Sequence, residues 1–334
     1  MDFDLEETNC PLCGCRERTF LFEKPDARYF LSPHSFRVVR CRDCSAGYLT
    51  PRPTIETVSF FYPEDFYEGR LRAAESDFNR RRYPLQAAYF QSLPAGARIL
   101  DIGCATGSFA RYLSESCGFE SYGMDLMAPR RLDHDPDRLR FGRPGEMDFS
   151  PGTFDGISAF AVFEHLHEPM EYFRWAARLL KPGGRLVILV TNFNSLLSRF
   201  AREEDVPRHL VFFTRKALRH CSLQAGFLLD HIGPGDRIYG GSGYGALAQR
   251  FLLAAGMDWR RIKRDRHEIP LMLRGVAQAL RALGLLIVPP PIERFLGVSG
   301  TMIATLIKAS EEAAAPSRRL RIPLFRNLFG MEGG

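Results

Sequence analysis

Four cysteines stand in two Cys-x-x-Cys pairs, Cys10-Pro11-Leu12-Cys13 and Cys41-Arg42-Asp43-Cys44. Each pair can present two thiolates from one tight turn, and two pairs complete the four-sulfur set of a structural zinc site. Four protein ligands leave no position for water, so such a metal holds structure and does no catalysis. The plainer alternative is a set of reduced structural thiols. Cys15 reads as a bystander beside Cys13. Five of the eight cysteines precede residue 45. The first residues, Met1 to Glu7, are acidic and do not read as a secretory signal, so metal ligation in a reducing, cytoplasmic compartment is favoured over disulfides.

A second group of residues points to a nucleoside. Asp101-Ile102-Gly103-Cys104-Ala105-Thr106-Gly107 follows an apolar run that begins at Ile99. Its glycines permit a tight turn that brings backbone close to a ligand. Asp125 ends the next apolar segment, 24 positions beyond Asp101. An acid at about that spacing can accept hydrogen bonds from both hydroxyls of a ribose. Its alternative is a surface turn carboxylate. Two histidines are candidates for proton transfer, since imidazole titrates near neutral pH. His165 lies in Phe163-Glu164-His165-Leu166-His167, just after a buried run, and His209 lies in Pro207-Arg208-His209-Leu210. Orienting, packing or structural hydrogen-bonding roles compete with the role of base at both. Glu164, His165 and His167 also read as a weak metal cluster, because one short segment with mixed spacing is poor evidence. Asn192 should lie on the same rim.

Alternating elements must position these groups. Ile99 to Ile102, Glu120 to Asp125, Phe154 to Val162 and Arg185 to Val190 read as buried strands. Ser108 to Ser116 and Pro169 to Leu180 read as helices between them, with Lys181-Pro182-Gly183-Gly184 as a breaker. A helix over residues 75–93 leads into the first strand. Regular alternation of this kind predicts a parallel, doubly wound α/β sheet. Thr19 to Phe22 and Phe36 to Arg40 predict a hairpin joining the cysteine pairs. Phe60, Phe61, Tyr62, Phe66 and Tyr67 either pack the cysteine module onto the main domain or line a substrate entrance, and packing is preferred.

The chain has 334 residues, 45% of them apolar and 25% charged, with a net charge of +6. These are ordinary globular values, and the charge is too mild to be a nucleic-acid footprint by itself.

Taken in order, these motifs resemble the class I S-adenosylmethionine-dependent methyltransferases. Leu100 to Gly107 is similar to the family's first motif, with Ala105 where a glycine is usual. Asp125 matches the ribose-binding acid, Phe154-Asp155 opens the fourth strand, and Leu180 to Arg185 matches the late Lys-Pro-Gly-Gly turn. The paired cysteines and Thr50-Pro51-Arg52-Pro53 resemble members that carry an N-terminal zinc ribbon, a layout shared with sugar C-methyltransferases. The resemblance implies a Rossmann-like seven-stranded sheet in the order 3-2-1-4-5-7-6. The last strand, Gly300 to Lys308, would run antiparallel between the sixth, Ala225 to Ile232, and the fifth. It implies S-adenosylmethionine as cofactor, held by Asp101, Gly103, Cys104, Ala105, Gly107, Asp125, Leu126 and Phe160. Near the adenine, Arg143 stands where an acid is common, so Glu146 and Met147 are the candidates to cover the ring. Structural Zn2+ is the second cofactor.

The expected organisation is a zinc-ribbon module at 1–50, an aromatic and helical connection at 51–95 and the cofactor-binding core at 96–232. A helical insert follows at 233–299, then the last core strand at 300–310 and a mobile tail at 311–334. The insert carries a basic patch, Arg260 to Arg266, and an apolar run, Leu271 to Val288. It reads as a cap or dimer face, with a membrane-surface helix as the alternative. The expected reaction is methyl transfer to a small-molecule, glycan or lipid-linked acceptor, with oxygen the first choice of atom. C-methylation of a nucleotide-linked sugar, RNA methylation and a non-catalytic scaffold are the alternatives. Nucleic acid is disfavoured because Phe160-Ala161-Val162-Phe163 stands where a base-reading tetrapeptide would follow the fourth strand.

Overall fold

The computed structural model describes residues 3–26, 28–63, 77–195, 198, 205–235, 238 and 299–310. The expected 233–299 insert lies almost wholly outside the described residues, including its basic patch and apolar run. So do the tail beyond residue 310, Phe66 and Tyr67.

The main sheet has seven strands: β6 (Arg98–Ile102), β7 (Glu120–Asp125), β8 (Leu139–Phe141), β9 (Phe154–Phe160), β10 (Leu180–Thr191), β12 (Phe227–Pro234) and β13 (Thr301–Lys308). They lie side by side as β12-β13-β10-β9-β6-β7-β8. Numbered within the sheet, that is 3-2-1-4-5-7-6 read from the far edge. β6 runs parallel to both neighbours, with Asp101 opposite Gly123 on β7 and Ser158 on β9. β13 is antiparallel to β10 and to β12. The third strand, only three residues long, has too little apolar pattern to be read in advance. The sixth begins two residues later than expected, because Ala225 and Gly226 close the preceding helix and Gly226 takes a left-handed φ of 82°.

Successive side chains of a strand face opposite ways, so the sheet has two cores. Ile99, Val187, Leu189 and Ile303 meet Phe109 of α2 (Ser108–Cys117) and Tyr83 of α1 (Asp77–Ala87). Leu100, Ile102, Ile157, Ile188 and Val190 meet Phe173 of α3 (Pro169–Leu179) and Leu218 of α4 (Arg215–Gln224) on the other face.

The cysteine module shares this second core. β2 (Arg18–Pro25) and β3 (Ser35–Cys41) form the expected hairpin, β4 (Gly47–Leu49) extends it, and the far edge is β11 (Val211–Phe212), supplied from beyond residue 200. Val211 pairs with Tyr48 and Phe212 with Gly47. The module's sheet is therefore completed by the main domain. Leu5–Glu6 (β1) likewise pairs with Arg52–Pro53 (β5). Buried Arg52 binds the Glu6 carboxylate at 2.7 Å and the His167 carbonyl at 2.8 Å, so it fastens the Thr-Pro-Arg-Pro segment to the loop after β9. Phe60 and Phe61 pack against Phe3, with Phe61 also on Phe36 at 5.4 Å between centroids.

Candidate active site

The turn after β6 wraps around the end of β7. The N–H groups of Gly103 and Cys104 both donate to the Met124 carbonyl. The Ala105 N–H donates to Asp125 Oδ2 at 2.9 Å. Gly103, Ala105 and Gly107 all have positive φ, at 75°, 51° and 83°. At Gly103 a Cβ would sit 2.4 Å from Val162 Cγ2, so only glycine fits against the loop after β9. Gly107 opens α2, whose first-turn Ser108 donates to buried Asp133 at 2.7 Å.

Asp101 and Asp125 face this turn in different surroundings. Asp101 is buried and accepts from Ser158 Oγ at 2.6 Å. Burial pushes its carboxyl up to about 7, and the Ser158 hydrogen bond only partly opposes that. Asp125 is half-buried, with Leu126 and Met127 beside it 49% and 57% exposed. Two exposed apolar side chains next to an acid at a strand end offer an apolar bed for a flat ring. Glu146 turns back to accept from the Arg143 N–H at 2.8 Å, while Met147 is buried. Phe160 lies edge-on to Phe109 at 5.7 Å, on the Asp101 face of the sheet. The residues suit an adenosine with an amino-acid tail: a close-approach backbone turn, a half-exposed acid, an apolar shelf and a buried acid.

The four module cysteines also converge. Sγ of Cys10 is 3.5 Å from that of Cys44, and Sγ of Cys13 is 3.4 Å from that of Cys41. All four lie within 4.8 Å of one another. Thiolates around a tetrahedral zinc at about 2.3 Å are about 3.8 Å apart, so the set fits that ion. The Cys10 thiol hydrogen bond is the largest influence on Cys44, which is pushed down to about 5 despite burial. Cys15 is outside the set, and its Sγ approaches the Glu17 carbonyl.

The loops after β9 and β10 meet at the carboxyl end of the parallel strands, the end that carries the Gly103 turn. Glu164 is buried, its Oε2 has no hydrogen-bond partner among the described residues, and burial pushes its carboxyl up to about 8. The rings of His165 and His209 stand edge to face, 4.7 Å apart. His165 Nδ1 is 2.9 Å from the Arg208 carbonyl and 3.1 Å from the Tyr62 hydroxyl. A carbonyl can only accept, so Nδ1 carries the proton and Nε2 the lone pair. Burial pushes His209 down to about 4, against the pull of the Asp205 charge, and its Nδ1 has no partner among the described residues. One ligand atom from each of Glu164, His165 and His209 falls within 4.8 Å of the others. His167 is not in this group: its Nε2 bonds the Pro53 carbonyl at 2.9 Å, because Arg52 holds that loop against β5. The metal-cluster reading that included His167 is corrected accordingly, with His209 in its place.

Arg208 holds this corner. It is fully buried, binding Asp26 at 2.8 Å, Asp205 at 2.6 Å and the Phe61 carbonyl at 3.1 Å. The His209 N–H donates to the Asp205 carbonyl, and the Leu210 N–H to the Glu164 carbonyl. Arg208, Asp26 and Ser158 are the residues that sequence reasoning missed, and it named Tyr62 only among the aromatics. The Ser158 alternation on a buried strand was a usable signal, while a contact between residues 26 and 208 has none. Asn192 faces inward to its own loop, its side chain donating to the Ser299 carbonyl at 2.9 Å.

A family model described as a methyltransferase domain matches residues 73–232. A ubiquinone biosynthesis O-methyltransferase of Xanthomonas oryzae pv. oryzae is 31% identical over 115 residues, covering 29% of this chain and 44% of that protein. A probable chloroplastic tocopherol O-methyltransferase of Oryza sativa subsp. japonica is 26% identical over 141 residues, covering 37% and 39%. The chain thus spans less than half the length of the curated relatives it matches. Among solved structures, phosphoethanolamine N-methyltransferase 2 of Haemonchus contortus, in complex with S-adenosyl-L-methionine, aligns over 88% of this chain and 69% of its own, with a TM-score of 0.49 and 16% identity.

Proposed function

We propose, from the match of residues 73–232 to a methyltransferase-domain model, that the chain is a class I methyltransferase and moves a methyl group from S-adenosylmethionine to an oxygen of a small-molecule, glycan or lipid-linked acceptor. One observation carries this reading. The carboxyl end of the parallel strands carries both the Gly103–Gly107 turn with Asp101 and Asp125 and the Glu164, His165 and His209 cluster. Ligands of open α/β sheets bind at that end.

The chain's own residues have separable tasks. Asp125 takes the ribose hydroxyls, Leu126 and Met147 flank the ring, and the Gly103 turn admits the tail at van der Waals distance. Asp101 receives the cationic amino group, which favours its ionised form. When bound, the cofactor supplies an electrophilic methyl carbon open to in-line displacement. The protein's remaining work is to align the acceptor, exclude water and take up its proton. His165 and His209 are the candidates for the last of these, beside the buried Glu164. The Cys10, Cys13, Cys41 and Cys44 set would hold structural Zn2+ and keep the module folded against the acceptor corner.

Calorimetry with S-adenosylmethionine tests the cofactor half, and absence of binding overturns it. Labelled methyl transfer to a panel of phenols, hydroxylated lipids and nucleotide-linked sugars tests the rest. Label stable in an ether supports the reading, whereas label on sugar carbon would move the assignment to C-methylation.

A further inference from the structure

The Glu164 corner contains more unmet bonding capacity than proton transfer needs. Among the described residues Glu164 Oε2 is sealed from solvent without a partner, and so is His209 Nδ1. A buried polar atom left unpaired is costly, and in a native structure it asks for an explanation. The two residues that carry them belong to one cluster with His165.

We propose that Glu164, His165 and His209 bind a divalent transition-metal cation, separate from the four-cysteine site. This deepens the proposed function and rests on its acceptor cluster. Two imidazoles and one carboxylate are a mixed nitrogen and oxygen donor set suited to zinc, manganese, iron(II) or cobalt(II). Three protein ligands leave coordination positions open, unlike the closed cysteine set. Donors on a tetrahedron about 2.1 Å from the ion are about 3.4 Å apart, so the 4.8 Å cluster closes onto it by small side-chain rotations.

The surroundings fit as well as the donors. His165 Nδ1 donates to the Arg208 carbonyl, which aims the opposite nitrogen, Nε2, as a ligand. A metal-bound histidine commonly has its second nitrogen tied down in this way. The Arg208 carbonyl is itself fixed, because the guanidinium of the same residue is clamped by Asp26 and Asp205. The segment bearing His209 is joined to the turn bearing Glu164 by the Leu210 N–H. The ligands thus come from two loops that the backbone already holds together.

A cation here has a chemical consequence. It would take an acceptor hydroxyl at an open position and lower the pKa of that hydroxyl, whose proton leaves to solvent. The oxygen's electron pair then forms the new O–CH3 bond as the S–CH3 bond breaks and the sulfonium becomes a neutral thioether. The acceptor class is therefore one with an ionisable hydroxyl, and a second adjacent oxygen would chelate.

Cobalt(II) is the probe, added to the full chain after chelation and dialysis. Two equivalents are expected: one giving the strong near-ultraviolet sulfur-to-cobalt absorption of the cysteine site, the other only weak visible bands. Glu164→Gln should lose the second equivalent alone and keep the sulfur absorption, and His209→Ala should do the same. A wild-type chain that binds a single equivalent overturns the proposal, as does a second equivalent that survives both substitutions. Calorimetry with S-adenosylmethionine on the same samples separates the two ideas. Binding without a second metal refutes only the metal site, and a second metal without cofactor binding refutes only the methyl-transfer reading.

Discussion

Asp26→Ala should destabilise the whole protein, because a buried charge pair helps fasten the cysteine module to the loop bearing His209, alongside the β4–β11 pairing and the Arg28–Asp205 ion pair. Asp26 and Arg208 are both fully buried. Asp26 Oδ1 accepts from Arg208 Nη2 at 2.8 Å, from the Arg28 N–H at 3.1 Å and from the Tyr29 N–H at 3.2 Å. Its Oδ2 accepts from the Leu31 N–H at 3.3 Å. Removing one partner of a buried pair typically costs about 3–5 kcal/mol, since it strands the other charge. Arg208 retains Asp205 at 2.6 Å and the Phe61 carbonyl, which favours the lower end of that range. A loss of about 3 kcal/mol corresponds to roughly 6–12 °C in Tm for a domain of this size. Differential scanning calorimetry measures it. A double-mutant cycle with Arg208→Met isolates the pair, and its coupling should be about 2 kcal/mol or more. A Tm drop under about 3 °C, or a coupling near zero, would refute the claim that this pair joins the two parts.

Three further outcomes follow from the same geometry. Asp125→Ala removes a carboxylate that also fixes the Ala105 N–H; losing one charge-assisted hydrogen bond costs about 1.5–3 kcal/mol, so calorimetry should show S-adenosylmethionine affinity lower by roughly 10- to 150-fold, and unchanged affinity removes Asp125 from the site. Cys41→Ser should lower zinc content by elemental analysis and lower Tm while leaving cofactor affinity largely intact; full zinc retention would refute the four-cysteine assignment. Asp101 is an acid raised by burial from 3.8 to about 7, so the folded state holds its proton more tightly than the unfolded chain does. Its contribution to stability is fully present below pH 3.8 and is lost as the pH rises through about 7. Without cofactor, Asp101→Asn should flatten the fall in Tm across that window, and a slope identical to wild type would show that Asp101 is already ionised.

The two halves of the candidate site were legible to different degrees. The cofactor half lies within one strand–turn–helix unit and the end of the neighbouring strand, so local spacing reports it. The acceptor half is built from Tyr62, Glu164, His165, Arg208 and His209, which lie more than 100 positions apart between the first and the later residues. Local pattern could flag His165 and His209 singly. It paired His165 with His167, because nothing in the sequence shows Arg52 drawing His167 aside.

From the sequence alone came the alternation of buried strands and helices, the cofactor turn, the acid at Asp125, the two cysteine pairs and the hairpin between them. Each depends on neighbours within a few residues or on strand periodicity, which a linear chain records. Tertiary structure alone decided that β11 of the main domain completes the cysteine module's sheet. It also decided that an ion pair from Asp26 to Arg208 clamps the corner, and that Glu164 and His209 meet with unpaired atoms buried between two loops. Burial and long-range pairing set these features. Residue types carry no record of which distant partner will exclude water from them, so the glycine turn proposed for the cofactor could be read and the corner proposed to face the acceptor had to be seen.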